Sequence, residues 1–156
     1  MIGALTPERI EHMLHLEVVG RIGCHADGRT YVVPISYAYD GEAIYGYSFE
    51  GLKLRIMRQN PAVCFEVDRF EVDSHGALAS WESIVVQGRF EELSGEEAAS
   101  GRALLVDRFR RLWMPWLTKP PRAVEEGWVR QGGIMPVVFR IVPLEKSGRF
   151  ERVEQR

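Results

Sequence analysis

The stretch YVVPISYAYDGEAIYGYSFEGLKLRIMRQNPAVCFEVD (residues 31–68) decides how the rest of the chain is read. Two runs rich in β-branched and aromatic residues are joined by Asp40-Gly41, a pair suited to a tight hairpin turn. A small loop carrying Ser48, Gly51 and Lys53 comes next, then a short basic helix over residues 52–59 that Asn60-Pro61 ends. Residues 62–69 read as a further strand. Hydroxyl, backbone N–H and ammonium donors between a strand and a helix N-terminus are the groups a phosphate needs. Taken alone, the loop reads more simply as an ordinary turn with a solvated lysine.

Working outward, the 156 residues are read as a single domain, long enough to bury a core. Apolar residues make up 46% and charged residues 27%, the balance of a globular chain rather than a disordered or fibrous one. A net charge of −2 argues against recruitment of nucleic acid or of an anionic membrane. The opening MIGALTPERIEHML has neither the basic start nor the apolar core of a signal peptide, and no run approaches a bilayer-spanning length. A cytoplasmic protein is expected. Cys24 and Cys64 are the only cysteines and each lies in a strand pattern, which predicts buried free thiols.

Before the decisive stretch, Thr6-Pro7-Glu8 starts a helix over residues 7–17, with Ile10, Met13 and Leu14 at helical spacing. Residues 18–25 and 30–39 read as strands joined by Ala26-Asp27-Gly28-Arg29, and Pro34 marks an edge, a bulge or a ligand-facing point in the second. Residues 42–48 make the third strand. Beyond it, residues 70–79 read as a loop and residues 81–93 as a long strand with Gly88 as a bulge. A helix is expected over residues 96–112, an irregular Pro- and Trp-rich segment over 114–128, a last strand over 134–142 and a tail from Ser147. Successive hairpins predict a mainly β, antiparallel sheet of about six strands that closes into a barrel, its core over residues 18–145.

Other residues that carry chemistry read more simply as structure. Tyr31, Tyr37, Tyr39, Tyr45 and Tyr47 form an aromatic cluster that fills a barrel wall or stacks on a planar ring. His12 and His15 lack a third ligand at motif spacing, His25 and His75 lack a nucleophile, and no metal site or catalytic acid, base or nucleophile is assigned. The run Arg108-Phe109-Arg110-Arg111 is expected at a helix end, facing water. Trp113, Trp116 and Trp128 fit either a subunit interface or a pocket lid.

The pieces VGRIGC (19–24), VVPISYAYDGEAIY (32–45), GLK (51–53), NPAVCFEVD (60–68), WESIVVQGRFEEL (81–93) and VVFRIVPLEKSGR (137–149) occur in order over about two-thirds of the chain. Together they resemble the pyridoxamine 5′-phosphate oxidase-like flavin-binding split barrels, in the branch that includes nitroimidazole-resistance proteins. The resemblance implies a Greek-key-like FMN-binding split β-barrel, homodimeric, with one FMN at each end of the subunit interface. It implies that Val33, Pro34, Ile35 and Ser36 lie against the flavin and its ribityl chain, and that Tyr47, Ser48, Gly51 and Lys53 hold the phosphate. Leu54 begins the helix beneath, and Trp81 and Ser83 contact the flavin, in some members from the partner subunit.

The departures shape the expected activity. The true oxidase has Arg where this chain has Tyr31, Lys where it has Ser36, and S-R-K in place of Gly51-Leu52-Lys53; its Arg- and Trp-rich substrate segment has no counterpart here. The nitroimidazole-resistance branch often has His at Tyr47. What is expected is an FMN-dependent oxidoreductase of flavin reductase or nitroreductase type, with NAD(P)H as electron donor and a small molecule as substrate, not a pyridoxamine phosphate oxidase. A non-catalytic flavin or haem carrier or sensor is the alternative, and a deazaflavin could replace FMN.

Overall fold

The computed structural model describes residues 1–113 and 135–153. Along them run β1 (Ile2–Ala4), α1 (Pro7–Leu16), β2 (Val19–Ala26), β3 (Arg29–Ser36), β4 (Ala38–Tyr39), β5 (Ile44–Ser48), α2 (Leu52–Gln59), β6 (Ala62–Val72), β7 (Leu78–Glu92), α3 (Gly95–Trp113) and β8 (Val137–Arg152). The irregular segment expected over residues 114–128 lies outside the described residues. None of the described helices is long and apolar enough to cross a membrane.

All strands belong to one antiparallel sheet in the order β3-β2-β6-β7-β8-β5-β4, with β1 added to the far end of β8. The two ends of that order, β3 and β4, are consecutive in the chain. At Tyr37 the chain leaves β2 and begins to pair with β5, so the sheet curls into a barrel that is split rather than closed. The split barrel expected from the resemblance is therefore present, with eight strands rather than six.

Alternation along the strands fills the interior with Ile22, Phe65, Val67, Ile84, Val86, Phe139 and Ile141. Helix α1 is capped by Thr6, whose Oγ1 accepts from Arg9 N at 3.3 Å, and buries Ile10, Met13 and Leu14 in the same core. Helix α2 adds Leu54, Ile56 and Met57. Asp27 and Gly28 take positive φ (48° and 73°) and close the β2–β3 hairpin. Gly88 lies opposite a register shift whose extra residue, Leu144, belongs to β8, so the bulge expected at Gly88 is carried by the neighbouring strand; a Cβ on Gly88 would lie 2.9 Å from Val142 O.

Several expectations are corrected. The segment read as a loop over residues 70–79 is largely strand: Phe70 pairs with Trp81 and Val72 with Leu78, and only residues 73–77 turn, around the Asp73 carboxylate. The tail expected from Ser147 is the continuation of β8, held between β7 and β1, so the core does not stop near residue 145. Gly148 permits this, since Leu5 and Ile10 pack within about 3 Å of where its Cβ would be. The strand expected over residues 30–39 is broken at Tyr37, and the third strand starts at Ile44 because the Asp40 side chain turns the chain through the N–H groups of Glu42 and Ala43. Strand β1 is too short to leave a sequence pattern. Cys24 is buried but Cys64 is only half-buried, and both are free thiols.

Helix α1 is tied to the barrel by ion pairs as well as by its apolar face. Arg9 pairs with Glu82, and Lys146 Nζ donates to Glu11 Oε1 at 2.5 Å and to the Tyr39 hydroxyl at 2.6 Å, which donates to Glu11 Oε2 at 2.7 Å. Arg108, expected to face only water, donates to the carbonyls of Leu16 and Glu17 at the end of α1. Burial pushes the Glu11 carboxyl up, but bonds from Lys146 and Tyr39 outweigh it and leave it below the ordinary carboxylate value of 4.5. A carboxyl depressed in the folded state contributes above its unfolded pKa and is lost as pH falls through the folded one. Wild-type stability should therefore drop between pH 5 and the folded value more steeply than that of Glu11→Gln, by about 1 kcal/mol or less for this part-exposed pair. Thermal melts across pH 3–6 check it.

Candidate ligand site at the split of the barrel

Strand β3 has β2 on one side and, among the described residues, no strand on the other. Strand β5 pairs with β4 only through Ile44 and Tyr45, and with β8 along its whole length. Between them the sheet is unpaired from Tyr37 at the joint to Tyr31 along β3 and to Ser48 along β5, and this opening is the slit. At its closed end Ile35 Cδ1 lies 3.3 Å from where a Gly46 Cβ would be. In a strand paired on one side only, every second residue turns its N–H and C=O outward, so β3 offers a row of backbone donors and acceptors along the slit.

Residues 49–51 carry the chain from the end of β5 into α2. Gly51 is the N-cap, no side chain bonds to the helix start, and no acid lies in the first turn. The first intrahelical bond is Arg55 N to Gly51 O, so the N–H groups of Leu52, Lys53 and Leu54 have no helical acceptor. They face outward with the positive end of the helix dipole. A Cβ on Gly51 would meet only Phe49 O, at 3.9 Å, which leaves room for a ligand beside the backbone.

Lys53 stands in this first turn, half-buried. Among the described residues no carboxylate pairs with it, while twelve other ion pairs form in the structure. Burial pushes its ammonium pKa down, and the neighbouring Cys24 sulfur opposes this only in part. A buried cation without an anion is costly, and a dianionic ligand would supply the missing partner. The Ser48 hydroxyl donates to Phe49 O at 2.9 Å and would have to rotate to reach a ligand.

The candidate positions are not all brought together. Val33, Pro34, Ile35 and Ser36 lie along the edge of β3, where alternate residues turn their backbone groups into the slit and Pro34 offers only its carbonyl; Pro34 and Ser36 turn their side chains to the outer face, while Ile35 is buried inside. Ser48, Gly51 and Lys53 lie across the slit, and Leu54 anchors α2 in the core. Tyr47 turns towards α3, with its ring 6.2 Å from Phe109, and is not a slit residue by its side chain. Trp81 and Ser83 are on the outer face of β7, separated from β3 by β2 and β6; Trp81 Nε1 donates to Glu151 at 2.9 Å. Along the sheet they stand three strand spacings, roughly 14 Å, from β3 and two, roughly 10 Å, from β5.

Three cavities of about 410, 380 and 400 Å³ lie at Asp40, Tyr45 and Arg140, at Gly23, Cys64 and Leu144, and at Leu5, Arg9 and Phe150. None is lined by any of the eleven candidate positions. The residues missed by sequence reasoning are Glu50, Arg58 and Glu92, which form one ion cluster beside the slit. They are 8 and 34 residues apart, a spacing with no motif.

Comparison with known proteins agrees with this architecture. A family model described as pyridoxamine 5′-phosphate oxidase matches residues 6–149. An uncharacterised protein of Rhizobium meliloti is 31% identical over 130 residues, covering 83% of this chain and 72% of that one. The crystal structure of a FAD-binding protein from Mesorhizobium loti superposes with a TM-score of 0.69 at 28% identity, over 96% of both chains. That of a candidate 5-nitroimidazole antibiotic resistance protein from Bacteroides thetaiotaomicron gives a TM-score of 0.71 at 19% identity, over 96% of this chain and 87% of that one. With its split barrel and a match that spans nearly the whole sequence, the chain belongs to the pyridoxamine 5′-phosphate oxidase family.

Proposed function

We propose that the slit binds FMN and that the protein is an FMN-dependent oxidoreductase working between NAD(P)H and a small organic molecule. The observation that carries the reading is Lys53: half-buried, without a carboxylate partner among the described residues, and set at an uncapped helix start opposite a free strand edge. In this reading Lys53 and the N–H groups of Leu52, Lys53 and Leu54 bind the phosphate, with Ser48 beside them. The edge of β3 at Val33, Pro34, Ile35 and Ser36 gives backbone hydrogen bonds to the flavin's polar rim. Bound flavin supplies the hydride and electron transfer, while these residues hold and orient it. The flavin named in the Mesorhizobium loti relative supports the cofactor class. With Tyr31, Ser36 and Leu52 where pyridoxamine phosphate oxidases carry cations, oxidation of pyridoxamine phosphate is not part of the proposal.

The strand order supports a homodimer. On the outer face of β7 and three strands from β3, Trp81 and Ser83 are better placed to meet the ligand of a second copy than that of their own chain. Their face of the sheet also exposes Val19, Val32 and Phe70, by 48%, 60% and 66%, set around the ion-paired Arg21, Glu66 and Asp68.

The test is a visible absorption spectrum of protein purified without added cofactor, followed by titration with FMN and FAD. Flavin bands, or saturable uptake of about one FMN per chain, are expected, with bleaching by NADH or NADPH under anaerobic conditions and recovery in air. A Soret band without flavin bands would instead identify a haem carrier. Colourless protein that ignores both flavins would remove the oxidoreductase reading and leave the fold unchanged.

A further inference from the structure

Arg58 lies in the last turn of α2, and its guanidinium joins two carboxylates. Nη1 and Nη2 donate to Glu50 Oε2 and Oε1, both at 2.8 Å. Nε and Nη2 donate to Glu92 Oε2 and Oε1, at 2.7 and 3.0 Å. Glu92 closes β7, where it is paired with Phe139 of β8. Glu50 stands in the connection between β5 and α2. The network therefore straps the loop ahead of the helix to the end of the sheet, across the length of the helix itself.

Little else fixes that loop. Among the described residues its other hydrogen bonds are the Ser48 hydroxyl to Phe49 O and Arg55 N to Gly51 O, both internal to the loop and helix start. A single exposed ion pair contributes little, but a planar guanidinium held at two forks restricts geometry as well as charge. Leu54, Ile56 and Met57 fix α2 itself in the core, so what the strap restrains is the connection through Glu50 and Gly51 that leads into the helix start.

We infer that Arg58, acting through Glu50 and Glu92, is a positioning residue that sets how tightly the slit grips the phosphate of its ligand without touching it. The inference rests on the proposed phosphate site at Lys53. It differs from simple charge shielding, in which Arg58 would only neutralise Glu50 beside a phosphate. Under shielding, removing the Glu50 charge tightens binding; under positioning, it weakens binding because the strap is gone.

The experiment compares FMN with riboflavin, which has the same ring and ribityl chain but no phosphate, on wild type, Glu50→Gln and Arg58→Gln, with a thermal melt of each. Both variants should lose roughly three- to tenfold in FMN affinity, the scale of re-ordering one or two side chains on binding. Riboflavin affinity should stay within about twofold of wild type, as should the melting behaviour of exposed ion pairs. Unchanged FMN affinity in both variants, tighter FMN binding by Glu50→Gln, or equal losses for FMN and riboflavin would each overturn the positioning role while the slit reading stands. A wild type that takes up neither flavin would overturn that reading and this inference with it.

Discussion

Lys53→Ala lowers FMN affinity by about 1–3 kcal/mol, roughly five- to 150-fold, the scale of one charge-assisted contact to phosphate. Riboflavin affinity is nearly unaffected, because the lysine meets only the phosphate. The same residue carries an opposite effect on the ligand-free protein. Burial depresses its pKa below the ordinary lysine value of 10.5. A lysine depressed in the folded state destabilises the fold while it is charged, and this penalty disappears as pH rises past the unfolded value. Lys53→Met should therefore melt higher than wild type at pH 7 without ligand, and the gap should close towards pH 11. Loaded with FMN, the order reverses. FMN affinity of the wild type should fall above the folded lysine pKa, where the ammonium loses its proton. It should fall again below about pH 6, where the phosphate gains one. Fluorescence titrations of FMN across pH 5–10 check both limbs, and a Lys53→Ala variant that binds FMN as wild type does would remove the phosphate site from this end of the slit.

A stability gain paired with a binding loss is the mark of a residue kept for its ligand. The sequence signals Lys53 as part of a Ser/Gly/Lys loop, but the loop alone favours a solvated lysine over a phosphate ligand. What separates the two is burial and the lack of a carboxylate, and neither is local in sequence: the neighbours that bury Lys53 come from β2, through Cys24. Much of the fold is legible for the converse reason. Helix α1, the β2–β3 hairpin and the α2 stop at Asn60-Pro61 each depend on residues within one turn or one strand. The errors fall where pairing is distant. The second half of β8 reads as a tail because Ser147 and Gly148 are turn formers, yet β7 and β1 hold them in register. Trp81 and Ser83, expected to contact the flavin and in some members from the partner subunit, have two strands between them and β3 of their own chain, a separation that sequence order does not reveal. The Glu50–Arg58–Glu92 cluster leaves no sequence trace, since acid and base of this kind occur on any exposed face.

The joint that makes the barrel split is Tyr37, and its removal has the largest expected effect on the fold. Its N–H donates to Val18 O at 3.3 Å as the chain leaves β2, and its ring meets Phe65 edge-on with centroids 4.9 Å apart. Its hydroxyl donates at 2.8 Å to Leu14 O, a carbonyl in the last turn of α1 that the helix itself leaves open. Burial raises the phenol's pKa, so it stays a neutral donor at every pH where the protein is used. Tyr37→Ala empties a fully buried site and should cost about 3–5 kcal/mol, a large part of the 5–15 kcal/mol typical of a folded domain. Tyr37→Phe keeps the ring and strands only the Leu14 carbonyl, at about 1–3 kcal/mol. Denaturant unfolding of both variants gives these values. The binding consequence separates the two roles of the residue. The ring props the closed end of the slit, whereas the hydroxyl acts on α1, away from the ligand. FMN affinity should therefore survive in Tyr37→Phe, measured well below its melting point. In folded Tyr37→Ala it should fall, since the edges of β3 and β5 lose the packing that keeps them apart at a fixed width. Equal FMN affinity in both variants would mean that the slit holds its shape from the sheet on either side, with no help from the joint.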